Sequence, residues 1–472
     1  MDRLRTIPCD VLVIGGGIVG AGIARDAAMR GLQTALVEQN DFASGTSSRS
    51  TRLLHGGVRY LAQGKVALVR EANKEKTIVH EIAPHLCQPL GFFFPTRTGT
   101  AWPRWKLSVG IKLYDWLCGR RSFGRSRTLG PKETLEAIPG YLARGLTGSV
   151  HYFDGLTSDA RLVLDTLRSA SRHGATVLNY LQFLDSEQQC GTWQVQLLDK
   201  RTGERFSARS RCLVNAAGPW SDRIAGAQTS LRLTKGVHLV VDRRRLPICD
   251  AVVTAEADRI LFALPWGERV ILGTTDTDYD GPLEQPLCEK EDMRYVLDAI
   301  NKDFPAAKLV PQDVLSTWAG LRPLVADSHG KPSDVSRRHQ IAMSRPGWWD
   351  VTGGKLTTYR LMAEETVDSV VRHLAEPFPR SETARAPLLS DEEAVLACGV
   401  LPPPVSQQLV QHFCRSEWAC HLDDIMFRRT SWRHYHIDHL KLAAQVADWM
   451  QSELNWSNGQ RTAELGRYGE LV

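Results

Sequence analysis

No CxxC pair occurs among the ten cysteines, which are scattered between Cys9 and Cys420. That spacing excludes zinc ribbons and thioredoxin-like redox motifs and suits buried, reduced thiols in a cytoplasmic protein. No uninterrupted apolar run approaches the ~20 residues of a membrane-spanning helix. No basic run is interleaved with aromatics, and the net charge is only +5 over 472 residues; both argue against nucleic acid as a partner. A modest positive balance instead suits an anionic substrate or an acidic membrane surface. Internal repeats are absent. Arg3 and Arg5 before an apolar stretch imitate a secretory leader, but Asp10 and the glycines that follow count against one.

What is present is an ordinary globular composition, 43% hydrophobic and 24% charged. The length exceeds what one hydrophobic core usually serves, so two or three domains are expected. The most informative stretch is DVLVIGGGIVGAGIARDAAMRGLQTALVEQND, from Asp10 to Asp41. Val11 to Ile14 reads as a buried strand, Gly15-x-Gly17-x-x-Gly20 as a tight turn, and Ala21 to Arg30 as a helix. Thr34 to Val37 reads as a second strand with Glu38 at its tip. This is the setting that a dinucleotide-binding fingerprint requires. Gly15 permits the turn, Gly17 the approach of a pyrophosphate, and Gly20 close packing of helix on strand. The helix N-terminus offers free N–H groups and a positive dipole end to phosphate. Glu38 is placed for both ribose hydroxyls, and a 2′-phosphate beside it would be repelled.

Ala43 to Arg52 is small and hydroxyl-rich. Composition alone makes it a flexible loop; its place after Glu38 makes it a lining for a long cofactor, through Thr46, Ser47 and Ser48. His55-Gly56-Gly57-Val58-Arg59-Tyr60 follows, with glycines that allow a flat ligand close. A helix is expected from Gly64 to about Pro84. Residues 101–118 form a basic amphipathic segment with Leu107, Ile111, Tyr114 and Cys118 on one face and Trp102, Trp105 and Trp116 as anchors. It is either an interfacial membrane helix or, the favoured reading, a helix packed on its own domain. Arg211 to Ala217 is a buried strand ending in Gly218-Pro219-Trp220, whose small tip at Ala217 and Gly218 leaves room for a cofactor or simply makes a packing turn. Strands near 239–241, 260–264 and 270–272 suggest an antiparallel sheet. Gly353 and Gly354 precede a helix from about Tyr359, a second oriented dipole. Pro377 to Pro387 reads as a linker, and the remainder is mostly helical. His434, His436 and His439 lack a carboxylate or cysteine ligand pattern, so no metal is expected.

Taken in order, GGGIVGAGIARDAAMRGL, TSSRSTRLLHGGVRYL, APHL, DARLVL, LVNAAGPW, KGVH, GTTD, AGLRPL and GGKLTTYR make the chain resemble the FAD-dependent glycerol-3-phosphate dehydrogenases of the quinone-linked, aerobic type. The resemblance covers roughly residues 8–375, and the tail matches more weakly through LDDIMFRRT. It implies an α/β FAD-binding Rossmann-like domain (glutathione-reductase/D-amino-acid-oxidase-like) interrupted by an α+β antiparallel-sheet substrate domain, plus a C-terminal helical domain. The expected boundaries are 1–84, 150–234 and 313–376 for the FAD domain, 85–149 and 235–312 for the substrate domain, and 388–472 for the helical domain.

The resemblance also implies FAD on the fingerprint, with Gly353, Gly354, Lys355, Leu356 and Thr357 toward the flavin end and His55, Gly56 and Gly57 along the cofactor. His55 and His238 are the candidate bases, because neutral imidazole accepts a proton near pH 7. Arg322 is assigned to phosphate or to the developing alkoxide. Arg59, Arg337 and Lys355 are further cations for a phosphate that carries about two charges, and Tyr60 and Thr275 are polar contacts. The expected reaction is oxidation of sn-glycerol 3-phosphate to dihydroxyacetone phosphate, with electrons passed to a quinone. The alternatives are a related oxidase using oxygen and a non-catalytic flavin-binding scaffold. A cytoplasmic location, peripheral contact with the inner membrane and a homodimer are further expectations.

Overall fold

The computed structural model of the chain describes residues 2–58, 64, 66–99, 103–118, 123–256, 259–325, 339–394, 396 and 398–471. It divides into two compact units, one of residues 1–48, 158–234 and 321–472 and one of residues 49–157 and 235–320.

The first unit is built on a largely parallel sheet. Its strand order is Gln340–Arg345, Trp348–Thr352, Arg205–Asn215, Cys9–Ile14, Thr34–Val37, Thr176–Leu178, and a meander of Leu181–Gln189 and Thr192–Asp199 attaches to Arg205–Asn215. Cys9–Ile14 pairs in parallel with both Thr34–Val37 and Arg205–Asn215. Val11, Leu12 and Val13 are wholly buried. An unbroken apolar run is what a central parallel strand covered on both faces demands. The fingerprint helix Ile18–Met29 packs against helices Asp159–Arg172 and Tyr359–Leu374. A satellite core around Val410, Phe413, Ile425, Trp432, Val446 and Met450 organises the C-terminal helices.

The second unit holds a mostly antiparallel sheet with Gln88–Arg97 hydrogen-bonded along Leu146–Leu156. Ala251–Glu256, Arg259–Trp266 and Arg269–Gly273 form successive antiparallel neighbours, backed by helix Lys290–Asp303 through Val296, Leu297 and Ile300.

Boundaries differ from the sequence expectation at several places: residues 150–157 and 313–320 fall in the second unit, and residues 388–472 fall in the first. Residues 49–84 likewise belong to the second unit rather than the first. Leu53 and Leu54 pair with Leu156 and Gly155, and helix Val66–Ile82 packs on helix Arg104–Cys118. The stretch 377–387 is also no free linker. The Arg25 guanidinium donates to the carbonyls of Thr383 and Ala386 at 3.2 and 2.6 Å, and Ser381 Oγ donates to Asp26 at 2.5 Å. Helix Arg104–Cys118 buries Leu107, Ile111 and Tyr114, as the packed reading requires.

Candidate active site

The first unit carries a cavity of about 420 Å³ at the carboxyl ends of its parallel strands, within the ~300–1,000 Å³ usual for a ligand pocket. This is where open α/β sheets bind ligands. Its floor is the fingerprint turn. Gly15 has φ of +111°, and a Cβ there would lie 2.6 Å from the Ala216 carbonyl oxygen. Gly20 lies one turn deeper, and a Cβ on it would sit 2.0 Å from the Gly15 oxygen. The first glycine is therefore required by backbone conformation, and the second by the approach of helix to strand.

Glu38 closes the second strand. Its two oxygens accept from the backbone amides of Gly16 at 2.7 Å and Asn40 at 2.9 Å. Burial pushes its carboxyl up, while those two amides pull it down. Residues 46–48 form a 3₁₀ turn. Ser47 Oγ accepts from the Ile18 amide at 3.0 Å, so a loop hydroxyl satisfies one of the helix-start N–H groups that Gly17 lacks a side chain to serve. Thr46 Oγ1 donates to the Leu321 carbonyl at 2.5 Å. Across the cavity, Asn215 Nδ2 bonds the Ser221 carbonyl and Asp350 Oδ1 at 2.9 and 2.8 Å, and the Ala217 amide donates to Asn215 Oδ1 at 3.3 Å. That lock fixes the strand-to-turn exit at Ala217-Gly218.

Of the residues expected at a cofactor, Gly15, Gly17, Glu38, Thr46, Ser47, Ala217, Gly218, Gly353, Gly354, Lys355 and Leu356 line this one cavity. Gly20 packs beneath it, and Ser48 and Thr357 are not in its wall. Arg322 precedes the lining residue Pro323 and is half-buried. The sequence reading missed Leu181 to Leu184, Trp220 and Val351. Strand residues such as Leu181, Phe183 and Val351 carry no chemical signal of a ligand; Trp220 has one, since it stands two residues after the small exit at Gly218.

His55, Gly56, Gly57, His238 and Thr275 lie in the second unit. His238 is buried, with Nε2 2.9 Å from Thr51 Oγ1 and its ring stacked on Trp318 at 5.2 Å. Trp318 donates to the Ser50 carbonyl at 3.1 Å, and the Arg52 guanidinium lies over the Trp266 ring at 4.4 Å. Thr275 Oγ1 accepts from the Val237 amide at 3.1 Å and donates to the Lys235 carbonyl at 3.4 Å, which gives it a structural task. The Gly56 amide donates to Tyr114 OH at 3.0 Å, and that hydroxyl donates to Asp154 at 2.6 Å. The buried Lys76–Asp154 ion pair of 2.7 Å completes the cluster. The close approach expected at Gly56 is thus already made by Tyr114 and Asn73. Arg59, Tyr60 and Arg337 lie outside the described residues.

Among the described residues, no three His, Cys, Asp or Glu side chains could hold a metal ion. His434 packs on Phe427, and His439 bonds Tyr468 OH at 3.0 Å. No described helix is long and apolar enough to cross a membrane.

A glycine-floored cavity with an acidic residue at the tip of its second strand fits a flavin dinucleotide, and comparison with known proteins agrees. Residues 10–368 match the FAD dependent oxidoreductase family, and residues 394–461 match the C-terminal domain of alpha-glycerophosphate oxidase. The chain is 41% identical over 387 residues to an aerobic glycerol-3-phosphate dehydrogenase of Staphylococcus aureus, covering 80% of this chain and 69% of the relative. It superposes on the glycerol-3-phosphate dehydrogenase of Bacillus halodurans complexed with FAD with a TM-score of 0.79 and 31% identity, covering 99% and 95% of the two chains. The fold is shared further with L-alpha-glycerophosphate oxidase of Mycoplasma pneumoniae, at a TM-score of 0.65 and 17% identity over 81% of this chain and 99% of that one. The chain is an enzyme of the FAD-dependent oxidoreductase family and, within it, belongs to the aerobic glycerol-3-phosphate dehydrogenases, with FAD as its cofactor.

Proposed function

We propose that the enzyme oxidises sn-glycerol 3-phosphate to dihydroxyacetone phosphate and passes the electrons to a quinone. The observation that carries this reading is the convergence of the fingerprint, Glu38, the Thr46-Ser47 turn, Ala217-Gly218 and Gly353 to Leu356 on one cavity. Bound FAD supplies a hydride acceptor at flavin N5; the chain supplies binding, orientation and proton handling. Glu38 and the helix start at Ile18 take the adenosine and pyrophosphate end, and Gly353, Gly354, Lys355 and Leu356 take the flavin end. The base that removes the hydroxyl proton is assigned to His55 or His238, imidazole being the side chain most often used for general-base chemistry. Arg59, Arg322, Arg337 and Lys355 are assigned to the dianionic phosphate and to charge developing on the substrate oxygen, where charge-assisted bonds are strongest. Tyr60 and Thr275 are assigned as polar contacts.

The test is flavin absorbance under anaerobic glycerol 3-phosphate. Bleaching at millimolar substrate is expected, and an unchanged spectrum would overturn the assignment. The match of the tail to an oxidase C-terminal domain supports a second reading, in which oxygen accepts the electrons. Stoichiometric peroxide in air with no quinone turnover would select it.

Peripheral membrane contact is part of the proposal. Trp105, Val109 and Leu113, four residues apart on helix Arg104–Cys118, are 71%, 63% and 38% exposed. Lys106 and Lys112 are exposed beside them. An apolar stripe flanked by lysines is the pattern of a helix lying in an anionic lipid interface.

A further inference from the structure

The LDDIMFRRT segment is a motif that the reaction itself leaves without a task. Its arginines reach the loop behind the adenosine end of the cavity. Arg428 Nε and an Arg429 terminal nitrogen both donate to Oδ2 of Asp41. Asp41 is 1% exposed and Arg429 fully buried. Arg428 also donates to Asp423 at 2.7 Å and to Asp424 at 2.6 Å, and Asp424 accepts from Tyr180 OH at 2.6 Å. Asn179 Nδ2 spans Asp41 at 3.2 Å and the Trp418 carbonyl at 2.9 Å.

The other side of the same loop is fastened to the fingerprint. The Ala43 amide donates to the Gly16 carbonyl at 3.0 Å. The Phe42 ring lies so close to Gly16 that a Cβ there would meet it at 2.6 Å, and the same ring stands edge-on to Trp418 at 5.3 Å. Glu38, Gln39, Asn40 and Ser44 line the cavity, while Asp41 to Ala43 between them are buried. Tyr180 and Leu181 amides hold the Asn40 and Glu38 carbonyls at 3.0 and 2.8 Å. The loop is thus gripped on one side by the fingerprint and on the other by the C-terminal helices.

We propose that Asp41, Arg428 and Arg429 are positioning residues for FAD: the C-terminal helical region sets cofactor affinity by fixing the 38–44 loop against the fingerprint turn. The proposal rests on the assignment of the cavity to FAD. Buried charges with several partners hold one geometry, because any displaced arrangement leaves a charge uncompensated. A loop held this way presents Glu38 to the ribose without an ordering cost at binding.

The experiment titrates FAD into the apoprotein, read by quenching of flavin fluorescence, with thermal melts of each apoprotein alongside. Asp41→Asn is expected to raise the FAD dissociation constant at least tenfold. Val446→Ala, which opens the core of the same helical region at a side chain that takes no part in the Asp41 ion pairs, is expected to lower the melting temperature while leaving the constant within twofold. Arg429→Lys, which keeps the charge, is expected to retain more affinity than Asp41→Asn. If Asp41→Asn does not fold, Arg428→Gln, which leaves Arg429 on Asp41, is judged by the same criteria. Wild-type affinity in the Asp41 or Arg428 variant, or affinity that merely follows melting temperature across all variants, overturns the proposal. Failure of the wild-type apoprotein to take up FAD would instead overturn the assignment of the cavity.

Discussion

Glu38 shows how much one side chain can be asked to do. It follows a strand, accepts two backbone amides, and is the acidic group that the proposal assigns to the ribose. Burial pushes its carboxyl up from the ordinary range. A raised carboxyl favours the folded apoprotein as pH falls through that value and disfavours it above, where the charge stands partly desolvated in the cavity wall. Binding runs the other way, since the ionised form accepts ribose hydroxyls. FAD affinity is therefore expected to fall as pH drops through the raised value. Glu38→Gln should lose both the affinity and its pH dependence. A charge-assisted hydrogen bond contributes about 1.5–3 kcal/mol, so the loss is roughly 10- to 100-fold, measured as the dissociation constant between pH 4.5 and 8. Wild-type affinity in the Glu38→Gln variant would contradict this. Arg322 is different in kind, because it precedes the wall residue Pro323 without being part of the wall. Arg322→Ala is expected to lose at least a hundredfold in turnover with FAD retained, checked by steady-state rates and flavin absorbance. Near-normal turnover would remove it from the site.

Elements were legible wherever sequence period and local chemistry agreed. The fingerprint strand and helix, strand Thr34–Val37, helix Val66–Ile82 and the start of helix Tyr359–Leu374 fall close to their expected places. Strand Leu146–Leu156 was hidden. Its residues, polar and apolar alike, are buried except for Thr147 and Phe153, which are partly exposed. No alternation therefore marks it, and His151 and Asp154 disguise a buried segment. Their partners explain the burial: Asp250 at 2.9 Å for His151 and Lys76 for Asp154. The Ala43–Arg52 loop has a composition that suggests flexibility, yet its Thr46–Ser48 turn is fixed by Ser47 and Thr46 bonds to distant backbone, which no local signal carries. Helix Arg104–Cys118 has two apolar faces. Its inner face buries Leu107, Ile111 and Tyr114, and the outer stripe of Trp105, Val109 and Leu113 remains exposed. Flotation with vesicles containing anionic lipid is expected to carry the wild-type protein, and Trp105→Asp should reduce the bound fraction several-fold with flavin content unchanged. Equal binding by that variant would leave the outer stripe without this role.

At the scale of the molecule, the chain crosses between its two units at 48/49, 157/158, 234/235 and 320/321, so neither unit is a contiguous stretch. The C-terminal helices belong to the first unit by their contacts, not by a tether. Beyond Asp41, Arg161 donates to Glu417 Oε1 at 2.8 Å, and Arg168 reaches the same carboxylate at 3.3 Å. Arg161 keeps Asp165 at 2.8 Å on its own helix, but Glu417 is fully buried and exists only in the tail. Burial works against the Glu417 charge, and Arg161 outweighs it, holding the carboxyl far below the ordinary carboxylate range. A depressed carboxyl contributes stability that is present above the ordinary carboxylate pKa and lost only in strong acid, so the contact persists across the neutral range. Removing residues 388–472 strips partners from Asp41, Arg161, Arg168 and Tyr180 at once. Breaking one buried pair costs about 3–5 kcal/mol, against a total stability of about 5–15 kcal/mol, and the truncation breaks at least two. Residues 1–387 are therefore expected to aggregate or to purify without flavin, judged by size-exclusion elution and the flavin-to-protein absorbance ratio. A monodisperse truncated protein with full flavin content would mean that the buried pairs join two independently stable bodies, and the first unit would then end before the tail.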